Sequence, residues 1–399
     1  MRLPVKLTSA LFACGVLLAS LTAAVPAEAA AISCSDTDLP VGGPGLPALV
    51  PGAPATVHGR LCLPAGAGPD TGGPDTVQLL VHGGTYNSAY WDLPYQPERY
   101  SYQRDMAAHG YATFAADQLG AGRSSHPLSL PLSVWAAAES MHEVVGHLRA
   151  GHVGGVPFAK VVIAGHSVGT GVVAVEASTY HDVDGVVLTG ITHLPALPVL
   201  ALGAALGLQP ALLDGRLGTL GSDPLYFTTR PGARAGLFYA AGDADPAVIA
   251  ADEATKDQVS VPGMGTVALF GIVLPATKGI TVPVFQVVGE KDVLFCGLLA
   301  LRDCSDAGVL RPQEAPYYAD PSNLSMYVLP GAGHSVALHE NAGNYRDATR
   351  SWLRDRLGIA PRVITRTDEK GTRAHRAFSR QDISATGAVM CPRPQDRLR

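Results

Sequence analysis

Three residue types that can act together on a carbonyl group lie far apart in the chain, each after an apolar run and among glycines. They are Ser167 in Gly165-His166-Ser167-Val168-Gly169, Asp292 in Gly289-Glu290-Lys291-Asp292, and His334 in Pro330-Gly331-Ala332-Gly333-His334. A serine hydroxyl is a poor nucleophile at neutral pH. It needs a histidine to take its proton and an acid to orient that histidine and stabilise its charge, and the chemistry that results is acyl transfer. The glycines two before and two after Ser167 permit a tight strand-to-helix turn, the nucleophile elbow, which lifts the hydroxyl above the sheet edge. The amides that follow it are free at a helix start, where their dipoles favour an anion. A G-x-S-x-G alone is common by chance, and a glycine-rich structural turn is its other reading, so the surrounding elements have to decide.

Those elements read as an α/β fold. Val161-Val162-Ile163-Ala164 shows no alternation and suits a central strand buried on both faces. Val77 to Val81 is a second buried strand, ending in His82-Gly83-Gly84-Thr85-Tyr86, where glycine lets a backbone amide approach a ligand. Arg99 to His109 reads as a helix, Tyr111 to Ala116 as a strand, and Ser133 to Ala150 as an amphipathic helix capped by Ser133. After the elbow come a helix from Val168 to Tyr180 and a strand from Gly185 to Gly190. A strand from Val282 to Val288 precedes Asp292, a strand from Leu324 to Leu329 precedes His334, and a closing helix runs to about Leu357. Strand alternating with helix means a mostly parallel central sheet flanked by helices. All three reactive groups would then emerge at its carboxyl edge, where ligands bind.

The alternation stops near His193 and resumes at 282. Residues 193–281 are therefore expected to form a mainly helical cap inserted between two parts of the core, 32–192 and 282–360, with 36–75 as a peripheral β-hairpin region. Two stretches of this cap, Leu194 to Leu213 and Gln258 to Thr277, carry no charge. Pro195, Pro198 and Pro210 leave the first about 11 uninterrupted residues, roughly 17 Å of helix, too short to span a bilayer. Lid helices over the elbow, or a surface that touches lipid at an interface, are the two readings.

The order Ser, Asp, His is that of the α/β-hydrolase arrangement. His82-Gly83-Gly84, the loop from Asp117 to Ser124, the elbow at Ser167, Gly289-x-x-Asp292 and Gly333-His334 together resemble the α/β-hydrolase superfamily over about residues 75 to 357. The resemblance implies Ser167 as nucleophile, His334 as base, Asp292 as orienting acid, an oxyanion hole from the amides of Gly84 and Val168 with Thr85 as a further donor, and no cofactor or metal. Haloalkane dehalogenases and epoxide hydrolases of the superfamily carry Asp at the elbow, so Ser167 points away from them. The expected activity is hydrolysis of carboxylic esters with an apolar part. A peptidase or amidase is the alternative: Gly83-Gly84 resembles aminopeptidase relatives, although Thr85-Tyr86 departs from their Pro-Gly continuation. A non-catalytic binder of hydrophobic ligands is the reading from a different class.

Rival residues stay open at this point. Glu290 could replace Asp292 and His339 could replace His334. Ser335 sits in a second Gly-His-Ser-Val, but Ala337 stands where the second glycine belongs. His82 is expected to shape its loop. Gly120-Ala121-Gly122 fails as a dinucleotide fingerprint because Ser125 occupies the third glycine position. His142 and His147 resemble a zinc-protease helix, yet they are five apart, about 140° around a helix, and cannot ligate from one face.

The N-terminal segment and the cysteines lead to the expectation of an exported chain. The net charge of −5 with 16% charged residues offers no basic surface for nucleic acid. Arg2 and Lys6 before the apolar run Leu7 to Leu21, then Ala27-Glu28-Ala29, read as a secretory signal over 1–31. Its removal takes Cys14 and leaves Cys34, Cys62, Cys296, Cys304 and Cys391. Local loop closure favours Cys34 with Cys62 and Cys296 with Cys304, with the other two pairings of these four open. Residues 361–399 carry nine Lys or Arg against four Asp or Glu and are weakly apolar, so a disordered basic tail is expected.

Overall fold

The computed structural model describes residues 32–42, 54–69, 71 and 73–362. The signal segment, Cys14, Cys391 and the tail from 363 lie outside them. The main sheet has eight strands: β1 (Ser33–Val41), β2 (Ala55–Leu63), β3 (Thr76–Val81), β4 (Ala112–Ala116), β5 (Lys160–His166), β6 (Gly185–Thr189), then, after three short strands β7 to β9 given below, β10 (Val284–Gly289) and β11 (Leu324–Leu329). Their order is β1-β2-β4-β3-β5-β6-β10-β11. All neighbours from β4 to β11 pair in parallel, and β2 alone runs against the rest, antiparallel to both β1 and β4. The continuous apolar runs are explained by this: β5 lies between β3 and β6 with both faces covered, and Val161, Val162 and Ile163 are fully buried.

Helices Val134–Arg149 and Val168–Tyr180 contribute to one apolar core, and Tyr102–Ala108 and Ala342–Leu357 to the other. Ser133 caps the first of these by accepting a hydrogen bond from the Ala136 amide. The helix expected over 99–109 is instead two, Pro97–Tyr100 and Tyr102–Ala108. Ser101 sits between them with extended backbone, and its hydroxyl accepts from the Arg104 amide to start the second.

The peripheral hairpin is β1 with β2. Cys34 stands directly opposite Cys62 in its register, and the two form a disulfide. A second disulfide joins Cys296 to Cys304. Both are the pairings expected from loop closure.

Between β6 and β10 the chain is not purely helical. It contains helices Leu197–Gly207, Ala233–Phe238, Pro246–Thr255 and Val261–Thr266, a π-helical turn Val267–Val273, and an antiparallel sheet of β7 (Leu208–Pro210), β8 (Tyr226–Thr229) and β9 (Val259–Ser260). The aromatic and β-branched run Tyr226-Phe227-Thr228-Thr229 accounts for the central strand. This segment packs on the helix that follows Ser167 through glycines: a Cβ on Gly271 would come within 2.7 Å of the Gly171 Cα. Its two ends are tied to the core by buried His193. One ring nitrogen lies 2.7 Å from Glu314 Oε2 and the other 2.8 Å from Thr277 Oγ1, and Arg302 Nε donates to Glu314 Oε1 at 2.7 Å. Among the described residues no helix is long and apolar enough to cross a membrane.

Candidate active site

Ser167 joins β5 to its helix with φ 52° and ψ −117°, a conformation disfavoured for a residue with a side chain. The flanking glycines make it sterically feasible. A Cβ on Gly165 would lie 2.5 Å from the Gly169 carbonyl oxygen, and one on Gly169 would lie 2.4 Å from that of His82. The turn therefore needs no side chain at either position, as its sequence suggests.

Asp292 follows β10 and His334 follows β11, and the sheet brings both to Ser167. The His334 Nε2 accepts from the Ser167 hydroxyl at 2.8 Å, and its Nδ1–H donates to Asp292 Oδ2 at 2.8 Å. Asp292 Oδ1 accepts the Leu294 amide at 2.9 Å, so the carboxylate is held from both sides. Asp292 and His334 are buried, while Ser167 stays partly open. The Cys296–Cys304 disulfide begins one turn after Asp292, where the Cys296 amide donates to the Asp292 carbonyl at 2.8 Å.

The loop after β3 lies against the elbow. A Cβ on Gly83 would stand 3.2 Å from Ser167 Cβ, and one on Gly84 would stand 2.9 Å from a Val168 methyl. Gly84 and Val168 thus border the same space beside the hydroxyl. Thr85 is next, at φ 62°.

The rival residues lie elsewhere. Glu290 Oε2 accepts the Gly331 amide at 2.7 Å and braces the turn before His334. His339 Nε2 accepts the Gly333 amide at 2.8 Å while its Nδ1 donates to the Ser335 carbonyl at 2.9 Å, so it shapes that turn rather than facing Ser167. Ser335 is buried with its hydroxyl 2.5 Å from Tyr86. His82 accepts the Gln118 amide and donates to the Gly83 carbonyl, and burial lowers its pKa. His166 stacks on Tyr90 with centroids 4.2 Å apart, and burial, then the nearby His334, push its pKa well below that of a free imidazole. The loop from Asp117 closes on its own carboxylate, which accepts from the amides of Ser88 and Arg123.

One supporting residue had no signal in the sequence. Arg234, fully buried, forms a two-pronged pair with Asp252 at 2.8 Å for both contacts, and its remaining nitrogen donates to the Thr85 carbonyl and hydroxyl at 3.1 Å each. Its guanidinium also lies 4.0 Å over the Tyr86 ring. An arginine from the 193–281 segment thus pins the strained Thr85 and the loop beside Ser167. Arg234→Met leaves the Asp252 carboxylate buried without its cation, for which a loss of about 3–5 kcal/mol in urea-monitored stability is expected.

A cavity of about 340 Å³ opens on Ser167. Its walls include Leu200, Leu237, Phe238, Met264, Ile272 and Phe295, and among the described residues the polar side chains that line it are those of Thr85 and Ser167.

The sequence profile of the Alpha/beta hydrolase family matches residues 78–348. The chain belongs to this family. Among solved structures, this α/β-hydrolase is similar to the alpha/beta hydrolase GrgF from Penicillium sp. sh18, with 16% identity over 82% of this chain and 99% of that one and a TM-score of 0.53. It is also similar to a thermophilic esterase from Thermogutta terrifontis, with 16% identity, 80% and 98% coverage and a TM-score of 0.47. The enol-lactonase from Burkholderia xenovorans LB400 matches with 16% identity, 75% and 97% coverage and a TM-score of 0.48. At such identities the likeness concerns the fold. No curated protein sequence matches the chain.

Proposed function

We propose that the protein is a secreted serine hydrolase that cleaves carboxylic esters with an apolar acyl or alcohol part. The observation that carries this reading is the hydrogen-bonded chain Ser167–His334–Asp292 at the mouth of a cavity whose lining holds no charged side chain. Ser167 Oγ attacks the ester carbonyl carbon as its proton passes to His334 Nε2. Asp292 stabilises the imidazolium that forms. The amides of Val168 and Gly84 receive the oxyanion, a contribution of roughly 3 kcal/mol for each donor. Collapse of the tetrahedral intermediate breaks the bond to the alcohol, which leaves with the proton from His334. Water then gives a proton to His334 while its oxygen attacks the acyl carbon. The acid departs and Ser167 recovers its proton.

An aminopeptidase would need an anionic group to hold the substrate ammonium, and the cavity wall has none. Residues 193–281 serve as the cap that supplies most of this wall. Leu197, Leu202, Leu206, Leu269 and Leu274 on the same segment are each more than 40% exposed, which suits contact with an apolar interface. The two disulfides fit an oxidising compartment, in keeping with export by the N-terminal signal.

The reading is tested with esters of increasing acyl length. Each methylene taken into the cavity contributes about 0.8 kcal/mol, so kcat/KM is expected to rise about fourfold per methylene from acetate until the cavity is filled. A flat or falling series would remove the apolar-substrate assignment, and cleavage of aminoacyl amides in preference to esters would replace the esterase reading with a peptidase.

A further inference from the structure

On the flank of the sheet away from the Ser167 mouth, three potential ligands come together from two helices and a loop. His142 comes from helix Val134–Arg149, Glu176 from helix Val168–Tyr180, and Asp182 from the loop after it, and one ligand atom of each lies within 4.8 Å of the others. His142 Nδ1 is 2.7 Å from Asp182 Oδ2. Glu176 is completely buried, and among the described residues its carboxyl oxygens and Asp182 Oδ1 have no hydrogen-bond partner apart from one another. Three oxygens with no outside partner thus converge beside one imidazole. Burying one carboxyl group against another costs free energy through desolvation and through repulsion when both are charged.

We propose that His142, Glu176 and Asp182 bind a divalent cation of the Zn²⁺ type and so fasten the helix of Ser167 to its neighbour. One imidazole nitrogen and two carboxylates are a borderline donor set that suits Zn²⁺, whereas Ca²⁺ asks for six to eight oxygens. Ligand atoms around tetrahedral zinc stand about 3.3 Å apart, within reach of small side-chain adjustments here, and water can take the fourth position. The charges of the two carboxylates and the cation cancel. Tyr180 stacks on the His142 ring at 3.9 Å and 7°, fixing its plane. The site lies nine residues along the helix from Ser167, a rise of about 13 Å, and has no part in ester chemistry. His147, five residues beyond His142, faces away, with one ring nitrogen 2.9 Å from His152 and the other near the Pro40 carbonyl.

The test uses the whole protein, stripped with EDTA, titrated with ZnCl₂ by calorimetry and followed by thermal unfolding. One equivalent is expected to bind, with Tm rising about 3–5 °C at a hundredfold excess over Kd. CaCl₂ is expected to leave Tm unchanged. Glu176→Gln, which can satisfy Asp182 through its amide, and Asp182→Asn are each expected to abolish binding and the Tm rise; if one of them fails to fold, the other decides. His147→Gln is expected to change neither. Absence of bound zinc in the unmutated protein overturns the proposal and leaves a proton-sharing carboxyl pair. Binding that survives Glu176→Gln and Asp182→Asn, or that disappears with His147→Gln, also overturns it and places the ion elsewhere.

Discussion

Ser167→Ala is expected to lower kcat for ester hydrolysis by about 10⁵- to 10⁶-fold, with KM little changed. The alanine removes the attacking oxygen and one hydrogen bond to His334 but keeps the elbow. Its methyl occupies the space of the serine Cβ, and Gly165 and Gly169 still leave the turn room. On the proposed mechanism a water molecule can then attack only as a weak substitute, and the amides of Gly84 and Val168 account for the activity that remains. Stability should change little, because the Ser167 hydroxyl is partly open and has one strong partner. A drop in kcat of less than tenfold, with folding intact, would mean that another group attacks the ester.

The second large effect belongs to Asp292→Asn, for which a fall of about 10⁴-fold in kcat is expected. The asparagine amide can occupy the carboxylate's place, with its oxygen still accepting the Leu294 amide, so the loop between β10 and the disulfide keeps its shape. Its NH₂ group then points toward His334 Nδ1, and the ring must place its proton on Nε2. In that tautomer Nε2 cannot accept the Ser167 proton. The negative charge that would stabilise the imidazolium is also gone. Comparing Asp292→Asn with Glu290→Gln separates the two acids: Glu290 holds the Gly331 amide, and its replacement should affect kcat far less. Equal losses in both variants would put the orienting role of Asp292 in doubt.

The sheet and the site differ in how readily they could be read from the chain. β3, β5, β6 and β10 are buried on both faces, so their sequences are apolar without alternation, broken only by buried Gln78 in β3 and Gln286 in β10, and carry their own signal. The glycines at 165, 169, 289 and 333 are places where backbone comes too close for a Cβ, as with Gly289, whose Cβ would lie 2.1 Å from the Gly333 carbonyl oxygen. Steric need of this kind is local and leaves a mark in the sequence. Arg234 leaves none. It is a single arginine in a short Ala-Gly helix, and its importance arises only when the fold sets Asp252 and Thr85 beside it. The three-stranded sheet of β7, β8 and β9 was hidden for a related reason: its strands have two to four residues, too few for a period to show. Glu176 lies in a helix apolar all round and reads as an ordinary charged interruption until its burial is known.

The most direct test of the account is covalent capture of the nucleophile. The purified protein, treated with a fluorophosphonate and digested, is expected to carry one phosphonyl group, found by mass spectrometry on the peptide containing Ser167, and the label should be absent from Ser167→Ala and slowed in Asp292→Asn. Folded protein that takes no label, or takes it on Ser335 or another serine, would contradict the assignment of Ser167 as the residue that attacks the ester.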